Sequence, residues 1–365
     1  MTFVWFSAIP PPMLQKDGGP PTAQMQSHLV RRVANCLHSL ARLVFALGGD
    51  VNPTACERAP TGKEPSPVNP KAEKDMLNFG RRYAASRILK SLIMNQVLVP
   101  EFSRRAAANH PQMVVFSSDL IGQGINMYGY WEFEELEVLA QWLKANGHIG
   151  GAMLDVGANI GNHSIFMSPY FDAVHAIEPN PKSYAVLVLN SSLAQNIHCH
   201  QVAASDTNGT LRFEQEAGNI GGTYVLPAGR QSTGKSMQLP CRRLDEEVAD
   251  VRDIRFVKID VEGHEHAAIR GMKGILDRDS PALVFEQHFG EFVDGKLKVV
   301  ELLRSYGYTE FHSIDRMPST HNAGKLGKLW FYACSLVRGM RIEVRPLEEV
   351  RPAFYEMLIA RTPLP

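Results

Sequence analysis

The sequence predicts an α/β fold built on a mostly parallel, Rossmann-like sheet with helices on both faces. Two observations lead to this prediction: short apolar runs alternate with helical patterns from residue 152 onward, and a glycine-containing turn follows the first run. Strands are predicted for the apolar runs, at Met153–Val156, Ala173–Ile177, His198–Ala203, Arg255–Ile259, Leu283–Phe285, Tyr308–Ser313 and Leu329–Ser335. Helices are predicted between them, at Ile160–Ser168, Pro181–Ala194, His264–Leu276 and Lys296–Ser305. Ligands bind at the carboxyl ends of the strands in such sheets, so functional residues are expected just after strands.

The α/β domain is predicted to span residues 151–337. Residues 1–76 are rich in proline, glycine and polar residues, which predicts a mostly disordered tail and linker. Residues 77–150 are predicted to form a helical lead-in that caps the domain, and residues 338–365 a C-terminal tail that can be helical.

The helices of the N-terminal region are predicted from apolar spacing. Valines and leucines three and four residues apart mark one amphipathic helix at about 28–47, which can dock on a partner, on a membrane surface or on its own domain. A second helix around Ala84–Ile93 is expected to stop at Pro100. A third is expected over Trp131–Asn146, with Gly147 as its C-terminal stop.

Composition argues against several functional classes. Lys+Arg and Asp+Glu both number 38, and this zero formal charge gives no footprint for nucleic acid. No apolar run approaches the roughly 18 residues that a membrane span needs. The 5 cysteines are scattered without a C-x-x-C pair, so neither a disulfide framework nor a cysteine zinc site is expected, and the cytoplasm is the predicted location. A cleavable signal is an option only if translation begins at Met25.

The strongest motif is a glycine-containing turn at the end of the first predicted strand, Leu154-Asp155-Val156-Gly157-Ala158-Asn159-Ile160-Gly161. Glycine is needed where the backbone turns tightly and approaches a ligand without a Cβ in the way. The next predicted strand ends at Glu178, where an acidic side chain can accept hydrogen bonds from the ribose hydroxyls of an adenosine. The pattern therefore predicts a cofactor that contains adenosine.

Charge distinguishes between the adenosine cofactors. A dinucleotide fold has G-x-G-x-x-G, so that a pyrophosphate sits on a helix N-terminus away from other anions. Here the glycine spacing is G-x-x-x-G, and Asp155 lies two residues before Gly157. A carboxylate in that place repels a pyrophosphate but suits a ligand that carries an ammonium and a sulfonium. The sequence therefore favours S-adenosylmethionine and disfavours a nicotinamide dehydrogenase.

Several motifs resemble those of the FkbM-type methyltransferases in letters, order and separation. They are the turn at 155–161, Glu178-Pro179-Asn180, Ala203-Ala204-Ser205-Asp206 and Lys258-Ile259-Asp260-Val261-Glu262-Gly263-His264-Glu265, with Gly129-Tyr130-Trp131-Glu132 similar to the segment before the family's first strand. The resemblance covers roughly residues 120–315. It implies the class I methyltransferase sheet of seven strands with an antiparallel last strand, which Leu329–Ser335 could supply. It also implies methyl transfer to a hydroxyl oxygen, with a sugar or other natural product as the acceptor.

The resemblance also implies which residues hold the cofactor. The methionine end would be lined by Gly157, Asn159 and Gly161, with Asp155 beneath it. Glu178 would hold the ribose, and Asp206, after the third strand, would face the adenine amino group. His264 departs from the family pattern, because a small residue is expected at its position.

Methyl transfer to an alcohol needs alignment and a base, because the hydroxyl proton must leave as the new bond forms. The predicted strand ends offer candidates for the base and for positioning of the acceptor: Asp260, Glu262, Glu286 and His288. Other roles stay open, since a carboxylate at a strand end often caps the next helix and His288 can be an ordinary histidine. Lys258 is expected to pair with a neighbouring carboxylate, because a buried ammonium needs a partner.

One competing motif is Gly229–Ser236, which matches G-x-x-x-x-G-K-[ST], the phosphate loop of nucleotide hydrolases. That motif requires a helix after its lysine. The residues that follow, Met237–Cys241, alternate and contain a proline, which predicts a strand paired with Thr210–Glu214. We therefore interpret the match as a coincidence.

Two further alternatives concern metal binding and loss of activity. His264-Glu265-His266 and His198-Cys199-His200 lack the H-E-x-x-H spacing that places two ligands on one helical face, so no metal site is predicted. A non-catalytic binding or scaffold protein of the same fold is the remaining alternative. No motif indicates the identity of the acceptor or the oligomeric state, because fold does not fix substrate.

Overall fold

The structure is a computed structural model that describes residues 81–215, 223–226, 235–287, 292–293, 296–317, 335, 339–351 and 353–363. The chain divides into two compact units, Met1–Gln96 and Val97–Pro365. The predicted tail and linker at 1–76, with the amphipathic helix at about 28–47, lie outside the described residues.

Helices and short strands alternate through most of the second unit. The helices are α1 (Arg81–Ile93), α2 (Val99–Ala107), α3 (Leu120–Tyr128), α4 (Phe133–Ala145), α5 (Asn162–Met167), α6 (Pro181–Ser191), α7 (Leu244–Glu247), α8 (Glu265–Arg270), α9 (Lys273–Asp279) and α10 (Lys298–Ser305), with a π-helical turn at Met94–Leu98 and a 3-10 turn at Ser168–Tyr170. The strands are β1 (Ala152–Val156), β2 (Ala173–Ile177), β3 (Ile197–His200), β4 (Ala203–Ala204), β5 (Gly209–Gln215), β6 (Thr223–Val225), β7 (Lys235–Arg242), β8 (Ile254–Ile259), β9 (Ala282–Gln287), β10 (Phe292–Val293), β11 (Lys296–Leu297), β12 (Glu310–Met317), β13 (Arg341–Leu347) and β14 (Tyr355–Arg361).

The main sheet has 8 strands in the order β13-β12-β14-β9-β8-β1-β2-β3. The strands from β3 to β9 in this order are parallel, whereas β14 is antiparallel to both of its neighbours. From β1 the chain first builds outward through β2 and β3 and later returns to β8 on the other side of β1. The carboxyl ends of β1 and β8 therefore border the crevice where sheets of this class bind ligands. This is the sheet that the family resemblance implies, with β13 added at one edge.

The antiparallel strand comes from a different segment than predicted. The candidate was Leu329–Ser335, of which residues 329–334 lie outside the described residues; β14 takes the place between β9 and β12. Residues 338–365 consequently supply β13 and β14 rather than a helical tail, and the domain extends past residue 337. The apolar run Met357–Ala360 is buried throughout, as expected for an interior strand with both faces covered, and it is too short to show a helical period.

The side chains of β1 alternate between two cores, one on each face of the sheet. Leu154 packs in a cluster with Ile269 of α8 and Leu303 of α10. Met153 belongs to a second cluster with Leu139 of α4 on the opposite face. Each fully buried side chain of this size contributes about 1.5–3 kcal/mol. The two cores confirm the prediction that helices cover both faces of the sheet.

Helical structure does not stop at Pro100. The α-helix α1 gives way to the π-helical turn, and Pro100 then falls in the first turn of α2, where its missing N–H has no helical partner to lose. The helix predicted at Trp131–Asn146 is confirmed as α4, Phe133–Ala145. Gly147 follows it with φ +75° and ends it as predicted.

The chain between β3 and β8 forms a smaller sheet with the strand order β4-β7-β5-β6. β5 pairs with β7 in antiparallel register, with Thr210 opposite Pro240, which confirms the predicted pairing. Residues 229–234 of the phosphate-loop match lie outside the described residues, but Lys235 begins a strand. A phosphate loop needs a helix at that point, so the nucleotide-hydrolase alternative is not supported.

Across the described helices, none combines the length and the apolar character that crossing a bilayer requires.

Candidate functional site

A cavity of about 350 Å³ opens at the carboxyl ends of the central strands. Its walls come from the turns after β1, β2 and β8, from β9, from the start of α3 and from the segment before α4. The predicted residues that line it are Gly157, Asn159, Glu178, Asp260, Glu262 and Glu286. Small-molecule sites commonly have volumes of about 300–1,000 Å³. The structure thus brings most of the predicted site residues together around one cavity.

The turn after β1 is held by backbone contacts with two neighbouring strands. The N–H groups of Gly157 and Ala158 both donate to the carbonyl oxygen of Ile177, at 2.9 and 3.0 Å. Gly157 has φ +82°, and a Cβ there would lie 1.7 Å from the carbonyl oxygen of Asp260. Glycine is therefore required by the close approach of the loop after β8. Gly161 lies outside the cavity lining, where a Cβ would contact Leu187 of α6 at 2.8 Å.

Replacing Gly157 with alanine should destabilise the fold more than the same change at Gly147. Both glycines have positive φ, which costs an alanine about 1–2 kcal/mol. Gly147 has open space around its Cβ position, so Gly147→Ala should lose only that amount. Gly157→Ala should lose about 1–3 kcal/mol more, because its Cβ meets backbone. Urea unfolding of the two variants measures the difference, and equal losses would show that the contact with Asp260 is unimportant.

Glu178 anchors the cavity floor at the end of β2. Its Oε2 accepts a hydrogen bond from the N–H of Asn159 at 2.9 Å, and its Oε1 accepts one from the N–H of Asn180 at 2.7 Å. Burial raises the pKa of Glu178 to about 7, although these two hydrogen bonds act to lower it. A carboxylate has about four acceptor positions, so Glu178 can still accept hydrogen bonds from a ligand.

A buried charge network lies beneath the turn. The Lys258 ammonium is 3.1 Å from Asp260 Oδ2, 3.7 Å from Asp155 Oδ1 and 3.2 Å from the carbonyl oxygen of Gly157. Ser164 donates a hydrogen bond to Asp155 Oδ2 at 2.5 Å. Burial acts to lower the pKa of Lys258, but the two carboxylates outweigh it and the pKa is raised. The expected pairing of Lys258 is confirmed, and Asp155 supports the turn from below without lining the cavity.

Glu286 is a predicted catalytic candidate whose carboxyl group has a raised pKa. It lies near the end of β9 and lines the cavity, half-buried. Burial, together with the nearby charges of Asp260, Glu262 and Glu132, raises its pKa to about 8. Such a group is half-ionised at about pH 8, so it can both take up and release a proton near that pH, which suits a proton acceptor. His288 lies outside the described residues.

Sequence reasoning did not assign a role to Glu132 and His163, which also line the cavity. Glu132 has a left-handed conformation, φ +57°, and its carboxylate lies 3.3 Å from His163 Nε2. Asn162 fixes the segment, since its side chain accepts a hydrogen bond from the N–H of Trp131 and donates one to its carbonyl oxygen. Strained backbone held this firmly is typical of functional sites. The only sequence signal was that Glu132 closes the Gly129–Glu132 motif.

The far end of the cavity is apolar. Val202, Ala203 and Phe213 line it together with Val225 of the smaller sheet. Asp206, which the resemblance placed at the adenine, is not among the lining residues. His264, the departure from the family pattern, is one of them.

The charge and an unsatisfied oxygen of the cavity fit a cationic ligand. Its carboxyl groups belong to Asp119, Glu132, Glu178, Asp260, Glu262 and Glu286, whereas Lys258 is the one lysine or arginine among the described lining residues. Asn159 Oδ1, on a residue that lines the cavity, is a buried oxygen that accepts no hydrogen bond within the described part of the chain. Buried acceptors of this kind normally have a donor. An ammonium and a sulfonium, as in S-adenosylmethionine, would supply positive charge here. In the described ranges, no group of three or more His, Cys, Asp and Glu residues could hold a metal ion.

Comparison with known proteins agrees with this arrangement. Residues 155–310 match the family model described as Methyltransferase FkbM domain. The chain is 34% identical over 139 residues to the hexuronic acid methyltransferase AglP of Haloferax volcanii, an alignment that covers 37% of this chain and 55% of that relative. The chain thus spans about half the length of the curated relative it matches.

The solved structures that the chain matches include methyltransferases. The methyltransferase FkbM from Methylobacillus flagellatus KT is 18% identical with a TM-score of 0.30, covering 58% of this chain and 43% of that one. The precorrin-6y C5,15-methyltransferase of Geobacter metallireducens is 16% identical with a TM-score of 0.35, covering 63% of this chain and 87% of that one. The family match spans the turn after β1, Glu178, Asp260 and Glu286, all of which border the cavity. Residues 155–310 of this chain are therefore similar to the FkbM methyltransferase domain.

Proposed function

We propose that this protein is an S-adenosylmethionine-dependent methyltransferase that methylates an oxygen atom of a saccharide. The observation that carries the proposal is the acidic cavity at the switch point of the sheet, where Glu178 is tied to the glycine turn. The scattered cysteines, of which Cys199 and Cys241 are free in the structure, support a reducing compartment such as the cytoplasm.

Each part of the cavity suits one part of the cofactor. Glu178 would accept hydrogen bonds from the ribose hydroxyls, and the apolar end around Phe213 would receive the adenine ring. Asn159 and the turn at Gly157 would hold the amino-acid end, where the buried Asn159 Oδ1 lacks a donor within the described residues. Asp155 would add negative charge from beneath.

When bound, the cofactor supplies a methyl group already activated on a sulfonium. The residues of the chain then have to align the acceptor oxygen, exclude water and take up one proton. Asp260 is paired with Lys258 and is therefore a weak base. Glu286, whose pKa is about 8, is better matched to take the hydroxyl proton, with Glu262 beside it at the cavity mouth.

The acidic lining also favours one class of acceptor oxygen. A relative of this chain is named a hexuronic acid methyltransferase, which supports a saccharide acceptor. A uronic acid offers either hydroxyl groups or a carboxylate to the methyl group. The carboxyl groups of Glu132, Asp260 and Glu262 would repel the carboxylate of a uronic acid if it were placed at the methyl group. We therefore propose a neutral hydroxyl as the methyl acceptor.

Radiolabelled methyl transfer tests this proposal. The purified protein is incubated with S-adenosylmethionine labelled in its methyl group and with matched pairs of neutral and uronic-acid saccharides. We expect labelled saccharide whose label survives mild alkali, because an ether is stable where a methyl ester is hydrolysed. Alkali-labile label would contradict the hydroxyl assignment. Calorimetry that detects no binding of S-adenosylmethionine or S-adenosylhomocysteine would contradict the proposed function.

Replacing Glu178 with glutamine should weaken binding of S-adenosylhomocysteine by about 10–100-fold. The amide keeps the size but loses the charge and one acceptor, and a hydrogen bond to a charged group is worth about 1.5–3 kcal/mol. Binding to the unchanged protein should tighten as pH rises through about 7, because Glu178 ionises there. Titration calorimetry at pH 6 and pH 8 measures both effects, and Glu348→Gln, on an exposed turn, is the matched control.

A further inference from the structure

The apolar end of the cavity lacks the acidic residues that surround the rest. Ala203, Phe213 and Val225 contact one another in a small apolar cluster, and Val202 and Ala204 continue this surface along the cavity wall. These side chains offer no hydrogen bond to a planar ring. A polar side chain is needed if the edge of the ring is to be recognised.

His264 is the polar side chain next to this apolar surface. It lines the cavity at the start of α8, and its Nε2 lies 3.1 Å from the hydroxyl of Ser205, the residue that follows Ala204. Ser205 is 1% exposed, so its position is fixed by its surroundings. Its backbone N–H donates to the carbonyl oxygen of Arg242 at 3.0 Å, which ties it to β7. The Ser205 contact therefore holds the imidazole at the apolar end.

Asp206 has a different environment. Its carboxylate pairs with Arg270 of α8 at 3.4 Å, its side chain is 28% exposed, and it is absent from the cavity lining. A carboxylate that is engaged by an arginine near the surface has little free capacity for a ligand inside the cavity. The preceding residue, Ser205, instead forms a hydrogen bond with His264, which does line the cavity.

We propose that His264, positioned by Ser205, recognises the polar edge of the adenine ring by donating a hydrogen bond from Nδ1 to ring nitrogen N1, and that Asp206 does not. This inference rests on the proposed function, since it concerns the same cofactor. It makes His264 the residue that distinguishes adenine from other purines.

The direction of the hydrogen bond follows from the partners of the two groups. A buried hydroxyl normally donates its hydrogen, and Nε2 of His264 is the hydrogen-bond partner of the Ser205 hydroxyl within the described residues. The Ser205 hydroxyl therefore donates to Nε2, which leaves the proton of the neutral imidazole on Nδ1. Burial lowers the pKa of His264, against the raising effect of Asp206, and so favours the neutral ring. Adenine N1 accepts a hydrogen bond, whereas hypoxanthine carries a hydrogen on N1 and would oppose donor to donor.

Binding of two product analogues to the full chain tests the assignment without any methyl acceptor. S-adenosylhomocysteine and S-inosylhomocysteine differ only at the N1–C6 edge of the purine. We expect the unchanged protein to bind the adenosyl compound at least about tenfold more tightly. His264→Ala should reduce this ratio to below about threefold, and His264→Asn should keep most of it, because the asparagine amide places a donor near the position of Nδ1.

Two further variants separate the competing explanations. His266→Ala removes a histidine two residues further along α8 that does not line the cavity, so it should keep the ratio of the unchanged protein. Asp206→Asn should also keep it. Thermal unfolding of every variant identifies any that fail to fold. If His264→Ala is among them, His264→Leu, which keeps the bulk but has no donor, should lose the ratio in its place.

The outcomes distinguish this inference from the proposed function. If the unchanged protein binds neither analogue, the proposed function fails and this inference fails with it. If it binds the adenosyl compound and His264→Ala keeps the full ratio, only the role of His264 is overturned. A loss of the ratio in Asp206→Asn alone would return the adenine to Asp206.

Discussion

Replacing Lys258 with methionine should lower the free energy of unfolding by about 3–5 kcal/mol. The lysine is 8% exposed and neutralises two carboxylates, Asp155 and Asp260, at 3.7 and 3.1 Å. Methionine keeps the apolar stem of the side chain but leaves Asp155, which is fully buried, without its cation. An uncompensated buried charge is much more costly than a lost surface pair.

Urea unfolding of matched variants measures this loss. Lys273→Met removes an exposed lysine that pairs with Asp277, so it should lose much less stability than Lys258→Met. The double variant Asp155→Asn/Lys258→Met should recover part of the loss, because the buried negative charge is removed together with its partner. A single variant as stable as Lys273→Met would show that Lys258 does not compensate buried charge. If the single variant fails to fold, recovery of folding in the double variant provides the same test.

Replacing Glu286 with glutamine should lower kcat for methyl transfer by about 100–10,000-fold while the affinity for S-adenosylhomocysteine stays within about twofold. The amide has nearly the same shape but cannot take up a proton. The group has to be ionised to act as the base, and its pKa is about 8. The rate of the unchanged enzyme should therefore rise with pH and level off above about pH 8, and this dependence should be absent in Glu286→Gln.

Initial rates from pH 6 to pH 9.5 against a saccharide that accepts labelled methyl provide the measurement. Glu348→Gln, on an exposed turn far along the chain, is the matched control and should retain both the rate and its pH dependence. A Glu286→Gln variant with the same rising pH profile would assign the base to another group, and a loss confined to KM would make Glu286 an acceptor-binding residue.

Local motifs predicted several of the residues that line the cavity. The turn at 155–161, Glu178 and Asp260 each follow a strand whose apolar run is visible in the sequence, and parallel strands bring their carboxyl ends to one edge. The seven-stranded sheet with an antiparallel last strand was implied by the family resemblance and not by these local motifs. The catalytic roles of Asp260, Glu262 and Glu286 stay predictions, because they follow from the position of these residues in the cavity lining.

Features that depend on contacts between distant segments were not visible in the sequence. Glu132 meets His163, 31 residues away, only because Asn162 binds the backbone of Trp131. Ser205 contacts His264, which is 59 residues away in the sequence. His264, the residue that departs from the family motif, lines the cavity. Spacing along the chain carries no information about such contacts.

The two other differences have local physical causes. Pro100 is a helix breaker in the interior of a helix but is tolerated in a first turn, and the sequence does not show that a π-helical turn ends just before it. The strand at Tyr355–Arg361 is short and apolar throughout, so its pattern does not separate strand from helix.

The position of β14 has a consequence for the order in which the sheet can form. β14 lies between β9 and β12 and pairs with both, so these two strands are not joined in one sheet until residues 355–361 have been synthesised. During translation, the parallel half of the sheet can assemble first, but one side of β9 then presents unpaired backbone groups that could join another chain. A ribosome stalled shortly before codon 355 would hold a nascent domain in which one edge of β9 is unpaired. We expect this intermediate to depend most on chaperones.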